Sequence, residues 1–125
     1  ELAKRITLPV TIDFMQVSSY GSGTVSSGEV RIVKDIDLSI RDKNVIIVED
    51  IVDTGNTLST LRDIFDHRKA KSVKICSLLD KPERREVDVD IDYVGFTVPD
   101  KFIVGYGLDC DQKYRNLPYI AVIEG

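Results

Sequence analysis

Val45-Ile46-Ile47-Val48-Glu49-Asp50-Ile51-Val52-Asp53-Thr54-Gly55-Asn56-Thr57 is the stretch that decides how this chain folds. Val45 to Val48 are all apolar and β-branched, and such side chains favour a pleated strand. A continuous apolar run predicts a strand covered on both faces, as in a parallel sheet. Two carboxylates, Glu49 and Asp50, close the run, and along an extended chain they point to opposite faces. Asp53 follows, then a Thr/Gly loop, then Leu58, Leu61, Ile64 and Phe65 at helical spacing. The reading is strand, loop, helix, with the helix from about Thr57 to Arg68.

Ligands of open α/β sheets bind at the carboxyl ends of the strands, where these carboxylates stand. The loop would present hydroxyls from Thr54 and Thr57 and the N–H groups of a helix N-terminus to a phosphate. Gly55 would allow positive φ and close approach of a ligand. In the plainer alternative, Asp53 or Thr54 only caps the helix. Three carboxylates within five residues repel one another, which favours a site for a cation or a hydroxylated ligand.

Outward from this centre, Val10 to Val17 reads as a strand. Residues 18–30 are rich in Ser and Gly, a flexible connection that is long for a passive one. Val30–Val33 reads as a returning strand, and residues 35–44 as a charged turn region. Ser72–Leu79 is the next strand, so the order β-α-β predicts a parallel pair. Lys81–Asp92 reads as a solvated loop. Tyr93–Phe96, Phe102–Val104 and Tyr119–Ile123 read as short strands.

With 125 residues the chain is one domain, and 42% hydrophobic composition is enough for a core. The net charge of -4 implies no basic face for nucleic acid. No segment has the length of a membrane span or the form of a signal peptide. Cys76 and Cys110 form no disulfide framework and no CxxC site, and read as reduced thiols of a cytoplasmic protein. His67, the single histidine, falls near a helix C-terminus, where it interacts with the dipole. A Ser–His–Asp triad or a histidine-rich zinc site is thereby disfavoured.

The stretch Glu49–Thr57 resembles the phosphoribosyl pyrophosphate (PRPP) motif of the type I phosphoribosyltransferases. Ser18-Ser19-Tyr20-Gly21, Leu78-Leu79-Asp80-Lys81-Pro82, Asp92-Tyr93-Val94-Gly95-Phe96, Pro99 to Asp109 and Tyr114-Arg115-Asn116-Leu117-Pro118 are similar to the bacterial hypoxanthine(-guanine) branch. The resemblance runs over essentially the whole chain. It implies an α/β fold with a central, mostly parallel sheet flanked by helices. It also implies transfer of 5-phosphoribosyl from PRPP to hypoxanthine or guanine, giving IMP or GMP and pyrophosphate, with Mg²⁺.

Residue by residue, the resemblance makes Glu49 and Asp50 the ribose and metal carboxylates and Asp53 the general base at purine N7. Thr54, Gly55, Asn56 and Thr57 become the 5′-phosphate loop. Lys81 donates to the purine O6, Phe102 stacks on the base and Ile103 offers backbone groups to its edge. Asp109 faces the metal close to the base, and Arg115 meets pyrophosphate. Ser19 and Tyr20 open a lid over residues 19–30. The plainer roles are a solvated lysine for Lys81, a core residue for Phe102, a turn residue for Asp109 and a surface ion pair for Arg115. A 6-oxo group accepts from an ammonium ion whereas a 6-amino group does not, which disfavours adenine.

A PRPP-binding regulatory protein and a xanthine-preferring transferase are the rival functions. Members of the family assemble as homodimers or homotetramers. They also carry an N-terminal part with a further strand and a pyrophosphate loop. Residue 1 falls inside a helix-like pattern, Glu1 to Arg5, with no cap before it. The chain therefore reads as the C-terminal portion of one such domain, expected to be inactive by itself.

Overall fold

The computed structural model describes residues 2–19, 30–108 and 112–123. Tyr20 with the rest of the predicted lid over 20–29, and Asp109 and Cys110, lie outside the described residues. In chain order the elements are α1 (Leu2–Arg5), β1 (Gln16–Ser19), β2 (Val30–Lys34), β3 (Asn44–Val52), α2 (Asn56–His67), β4 (Ser72–Asp80), a 3-10 turn (Pro82–Arg84), β5 (Tyr93–Thr97), β6 (Phe102–Val104) and β7 (Ala121–Ile123).

β3, β4 and β5 form a parallel sheet in that order. β3 does not stop at Val48, as the apolar run suggested. It pairs onward, Glu49 with Ser77, Ile51 with Leu79 and Val52 with Asp80. The polar pair therefore stands inside the ladder. Nor is the apolar run covered on both faces: Ile46 and Val48 are 53% and 58% exposed. α2 packs over one face only, so β3 alternates between exposed and part-buried residues as a half-covered strand does.

The core beneath α2 joins Leu58 and Leu61 of the helix to Val52 and Ile75 of the sheet. Met15, Val17, Ile47, Val89 and Ile91 pack around it. The helix periodicity read from the sequence is thus met, with Phe65 buried as well. At its far end Asp35 accepts both guanidinium nitrogens of Arg68, at 2.9 and 2.6 Å. That bond holds the Asp35 carboxyl below its ordinary range.

β1 and β2 pair antiparallel as a separate two-stranded sheet. The strand expected from Val10 begins only at Gln16. Asp13 explains the shift: its carboxylate accepts the N–H groups of Phe14, Asp37 and Leu38 at 2.8, 2.7 and 3.2 Å. Such side-chain bonding to the backbone competes with a ladder. β6 and β7 also form an antiparallel pair. β7 starts at Ala121, two residues later than expected. Gly105 lets the two arms of this unit meet: it sits at φ +93°, and a Cβ there would collide with the Tyr119 carbonyl.

Candidate active site

β3 delivers Glu49 and Asp50 on alternate sides of the strand, Glu49 part-buried and Asp50 exposed. Their carboxyls still interact. Burial first, then the charge and hydrogen bond of Asp50, push Glu49 up from 4.5 to about 7. Asp50 also accepts the Ile51 N–H at 2.7 Å. Two adjacent carboxyls under this penalty suit a cation or sugar hydroxyls, which relieve it.

The loop after β3 folds on local bonds. Asp53 Oδ1 accepts the Thr54 N–H at 2.6 Å, and Thr54 Oγ1 accepts the Asn56 N–H at 3.3 Å. Gly55, at φ +85°, is the N-cap residue of α2, and no side chain caps the helix. Of the plainer capping pair, Asp53 reaches no helical amide, whereas Thr54 meets that of Asn56, the first residue of α2. Intrahelical bonding begins at Ser59, whose N–H reaches the Gly55 carbonyl at 3.0 Å. The Thr57 and Leu58 amides lie ahead of that ladder, where helix N–H groups and the dipole favour an anion.

Glu49, Asp53, Thr54, Gly55 and Thr57 line one depression of about 260 Å³, closed below by Val17, Ile51, Val52 and Leu58. A larger depression, about 340 Å³, lies between Asp63, Ile64, His67 and Arg68. It is at the C-terminal end of α2, where carbonyls and not amides are exposed, so it suits an anion poorly. Among the described residues, no three His, Cys, Asp or Glu side chains converge on one point.

Lys81 follows β4 and does not line the carboxylate depression; its N–H is bonded at 2.8 Å to the carbonyl of Val52, which does. Phe102 and Ile103 stand on β6. Phe102 is 67% exposed, so its ring has an open face, whereas Ile103 is buried at 6%. Arg115 is turned onto its own loop, donating to the Gly107 carbonyl at 2.7 Å and to Gln112 Oε1 at 3.1 Å. Ser19 ends β1, paired with Val30.

The segment 81–92 is the mostly exposed loop that its charge predicts, with Arg85, Val89 and Ile91 part-buried. It also docks on the loop after β3. Glu86 and Val87 donate to the Thr54 carbonyl at 2.9 and 3.2 Å, and Asn56 Nδ2 donates to Glu86 Oε2 at 2.9 Å. Arg85 Nε donates to the Asp53 carbonyl at 3.0 Å, and its Nη2 pairs with the Asp80 carboxylate. The only sequence signal for this docking is the alternation Val87, Val89, Ile91 with Asp88, Asp90, Asp92.

A carboxylate-bearing strand end, a glycine loop and a helix N-terminus meet at one edge of a parallel α/β sheet, a combination of donors and acceptors that suits a sugar phosphate. Residues 1–111 match the family model of the phosphoribosyl transferase domain, and the chain belongs to that family. It is 60% identical to the hypoxanthine-guanine phosphoribosyltransferase of Streptococcus thermophilus (strain CNRZ 1066), over 99% of this chain and 69% of that protein. It is 56% identical to the enzyme of the same name from Bacillus subtilis (strain 168), with the same coverage. A crystal structure of a hypoxanthine phosphoribosyltransferase from Staphylococcus aureus superposes with TM-score 0.93 at 52% identity, covering 98% of this chain and 67% of that one. A Bacillus anthracis hypoxanthine-guanine phosphoribosyltransferase gives TM-score 0.92 at 57% identity, covering 98% and 72%.

Proposed function

We propose that the chain serves purine salvage, moving 5-phosphoribosyl from PRPP to N9 of hypoxanthine or guanine and releasing pyrophosphate. One observation carries the reading. The end of β3, with its carboxylates and uncapped loop, is bonded to the residue that starts the purine side, Lys81. The names of the relatives point the same way.

In this reading the amides at the start of α2, with Thr54 and Thr57, hold the 5′-phosphate. Glu49 and Asp50 take the ribose hydroxyls. Asp53 stands at purine N7 as proton acceptor. Carboxylates are weak bases, so the transfer relies on the growing acidity of the purine as N9 bonds to the ribose. Lys81 donates to O6 and selects 6-oxopurines. Phe102 stacks on the base, Ile103 lines its edge, and Arg115 swings from Gly107 to the leaving pyrophosphate. A lid opened by Ser19 and Tyr20 keeps water from the activated ribose.

Mg²⁺ belongs to this reading. Glu49 and Asp50 are adjacent hard oxygen donors, and the raised Glu49 carboxyl is the donor that a cation would stabilise. With Asp109 they would hold the ion beside the phosphates of PRPP, and when bound it would supply charge neutralisation for the leaving group. The whole protein is read as a cytoplasmic homodimer or homotetramer. No helix of the described residues is long and apolar enough to cross a membrane.

The test is a base-by-base assay of the whole protein to which this domain portion belongs, with PRPP and Mg²⁺. Hypoxanthine and guanine should be consumed and adenine spared. Lys81→Met should raise KM for the base about 10–100-fold, the loss of a hydrogen bond from a charged donor, with KM for PRPP little changed. Use of adenine alone, or of no base, would overturn the assignment.

A further inference from the structure

Arg85 occupies a place that neither its sequence context nor the reaction assigns. Its stem lies over the phosphate loop, with Cδ 3.1 Å from where a Cβ on Gly55 would stand. Its Nε donates to the Asp53 carbonyl at 3.0 Å, while Nη2 of the same planar group pairs with the Asp80 carboxylate. The two side chains are only 20% and 15% exposed. One acceptor thus belongs to the residue in the general-base position, and the other to the residue just before Lys81.

We propose that Arg85 is a positioning residue, whose guanidinium fork, anchored on Asp80, holds the Asp53 carbonyl and sets the phosphate loop against the purine side of the site. The proposal rests on the transferase reading above. The donors of a guanidinium lie in a fixed plane, so two acceptors on two strand ends are held at one angle. An ammonium group is a compact point charge and lacks that fork. The adjoining bonds from Glu86 and Val87 to Thr54 continue the clasp, but they come from backbone and impose no choice of residue. Among the described residues, Arg85 is the side chain bonded to both ends.

A plain ion pair would add stability and nothing else, so the test separates the two roles. Arg85→Lys, Arg85→Gln and Asp80→Asn are made in the whole protein and assayed for both KM values and kcat, beside urea unfolding. A misplaced loop is expected to lower kcat and raise KM for PRPP, each about tenfold or more, in Arg85→Lys, with little change in the unfolding midpoint. Asp80→Asn should show a milder form of the same split. Combining it with Arg85→Gln should be no worse than Arg85→Gln alone, since both act through one contact. Hydrogen exchange of the Thr54 and Asn56 amides should speed up in Arg85→Lys while that of β3 holds.

Parameters within about twofold of the parent, or losses that only follow the unfolding midpoint, would overturn the proposal. So would unchanged exchange at Thr54 and Asn56, which reads the loop whether or not the chain turns over. If Arg85→Gln does not fold, Arg85→Lys and Asp80→Asn decide by the same criteria. A parent whole protein inactive with PRPP and every base would count against the transferase reading instead.

Discussion

Lys81 donates its backbone N–H to the Val52 carbonyl at 2.8 Å, so the first residue past β4 is tied to the last residue of β3. Parallel strands end on the same edge of a sheet, and this bond closes that edge. Two residues 29 positions apart by their numbers are therefore held at one edge of the sheet. A displacement of either strand end moves both the carboxylate loop and the lysine.

Asp53→Asn should keep the loop and lose the chemistry. The amide oxygen of Asn can still accept the Thr54 N–H that Asp53 Oδ1 accepts at 2.6 Å. The side chain can no longer take a proton. Turnover should fall about 10²–10⁴-fold, the usual worth of a general base, with PRPP binding nearly unchanged. Steady-state kinetics beside PRPP titration checks this, and an unaffected rate would refute the role.

Gly55→Ala should damage the phosphate site by two routes. Positive φ costs a residue with a Cβ about 1–2 kcal/mol. The new Cβ would also meet the Val87 carbonyl at 2.8 Å, so the 81–92 wrap must move. Thermal unfolding should drop by that order and KM for PRPP should rise. A variant with parental stability and KM would show that the loop is looser than described.

Glu49 makes stability depend on pH, and the sign follows from its raised value. Unfolded, its carboxyl ionises near 4.5; folded, near about 7. Between those values the native state keeps a proton that the unfolded state has released. Its contribution is full below 4.5, declines as pH rises through the window, and is lost above about 7. Glu49→Gln should flatten that decline and leave the protein about 1–2 kcal/mol more stable than the parent at alkaline pH, allowing for solvent screening. Denaturant unfolding across the window is the measurement, and an unchanged slope would contradict it. PRPP binding should weaken in the same variant.

Asp92 serves the fold and not the site. Its Oδ2 accepts the N–H of fully buried Ile75 at 2.8 Å and faces Arg62 Nη2 at 3.4 Å. Asp92→Ala leaves that amide without its partner, which costs about 1–3 kcal/mol. Urea unfolding should register the loss while both KM values stay near parental. A change in KM without loss of stability would place Asp92 in the site.

Local pattern predicted what local forces control. Helical spacing of Leu58, Leu61 and Phe65 marked α2 to within one residue, because the apolar face of a helix is written at a fixed period. The strand ends were less legible. β3 runs through Glu49 and Asp50 because β4 supplies pairing partners that far, and no local preference of a carboxylate reveals a partner on another strand. The start of β1 depended on Asp13 finding the amides of Asp37 and Leu38, a contact 24 residues away in its nearer part.

By itself the sequence determined the chemistry at hand: paired acids, a glycine loop that needs positive φ, and a helix start. These depend on residue type and on spacing along one stretch of chain. Only the tertiary structure decided what braces them. Lys81–Asp92 is dense in charge and mostly solvent-exposed, as it reads, and it also folds back on Asp53, Thr54 and Gly55 through Arg85, Glu86 and Val87. The reason is physical: its backbone donors and its guanidinium are satisfied by carbonyls that β3 leaves exposed at its end, and those carbonyls come within reach only when β3 and β4 lie side by side.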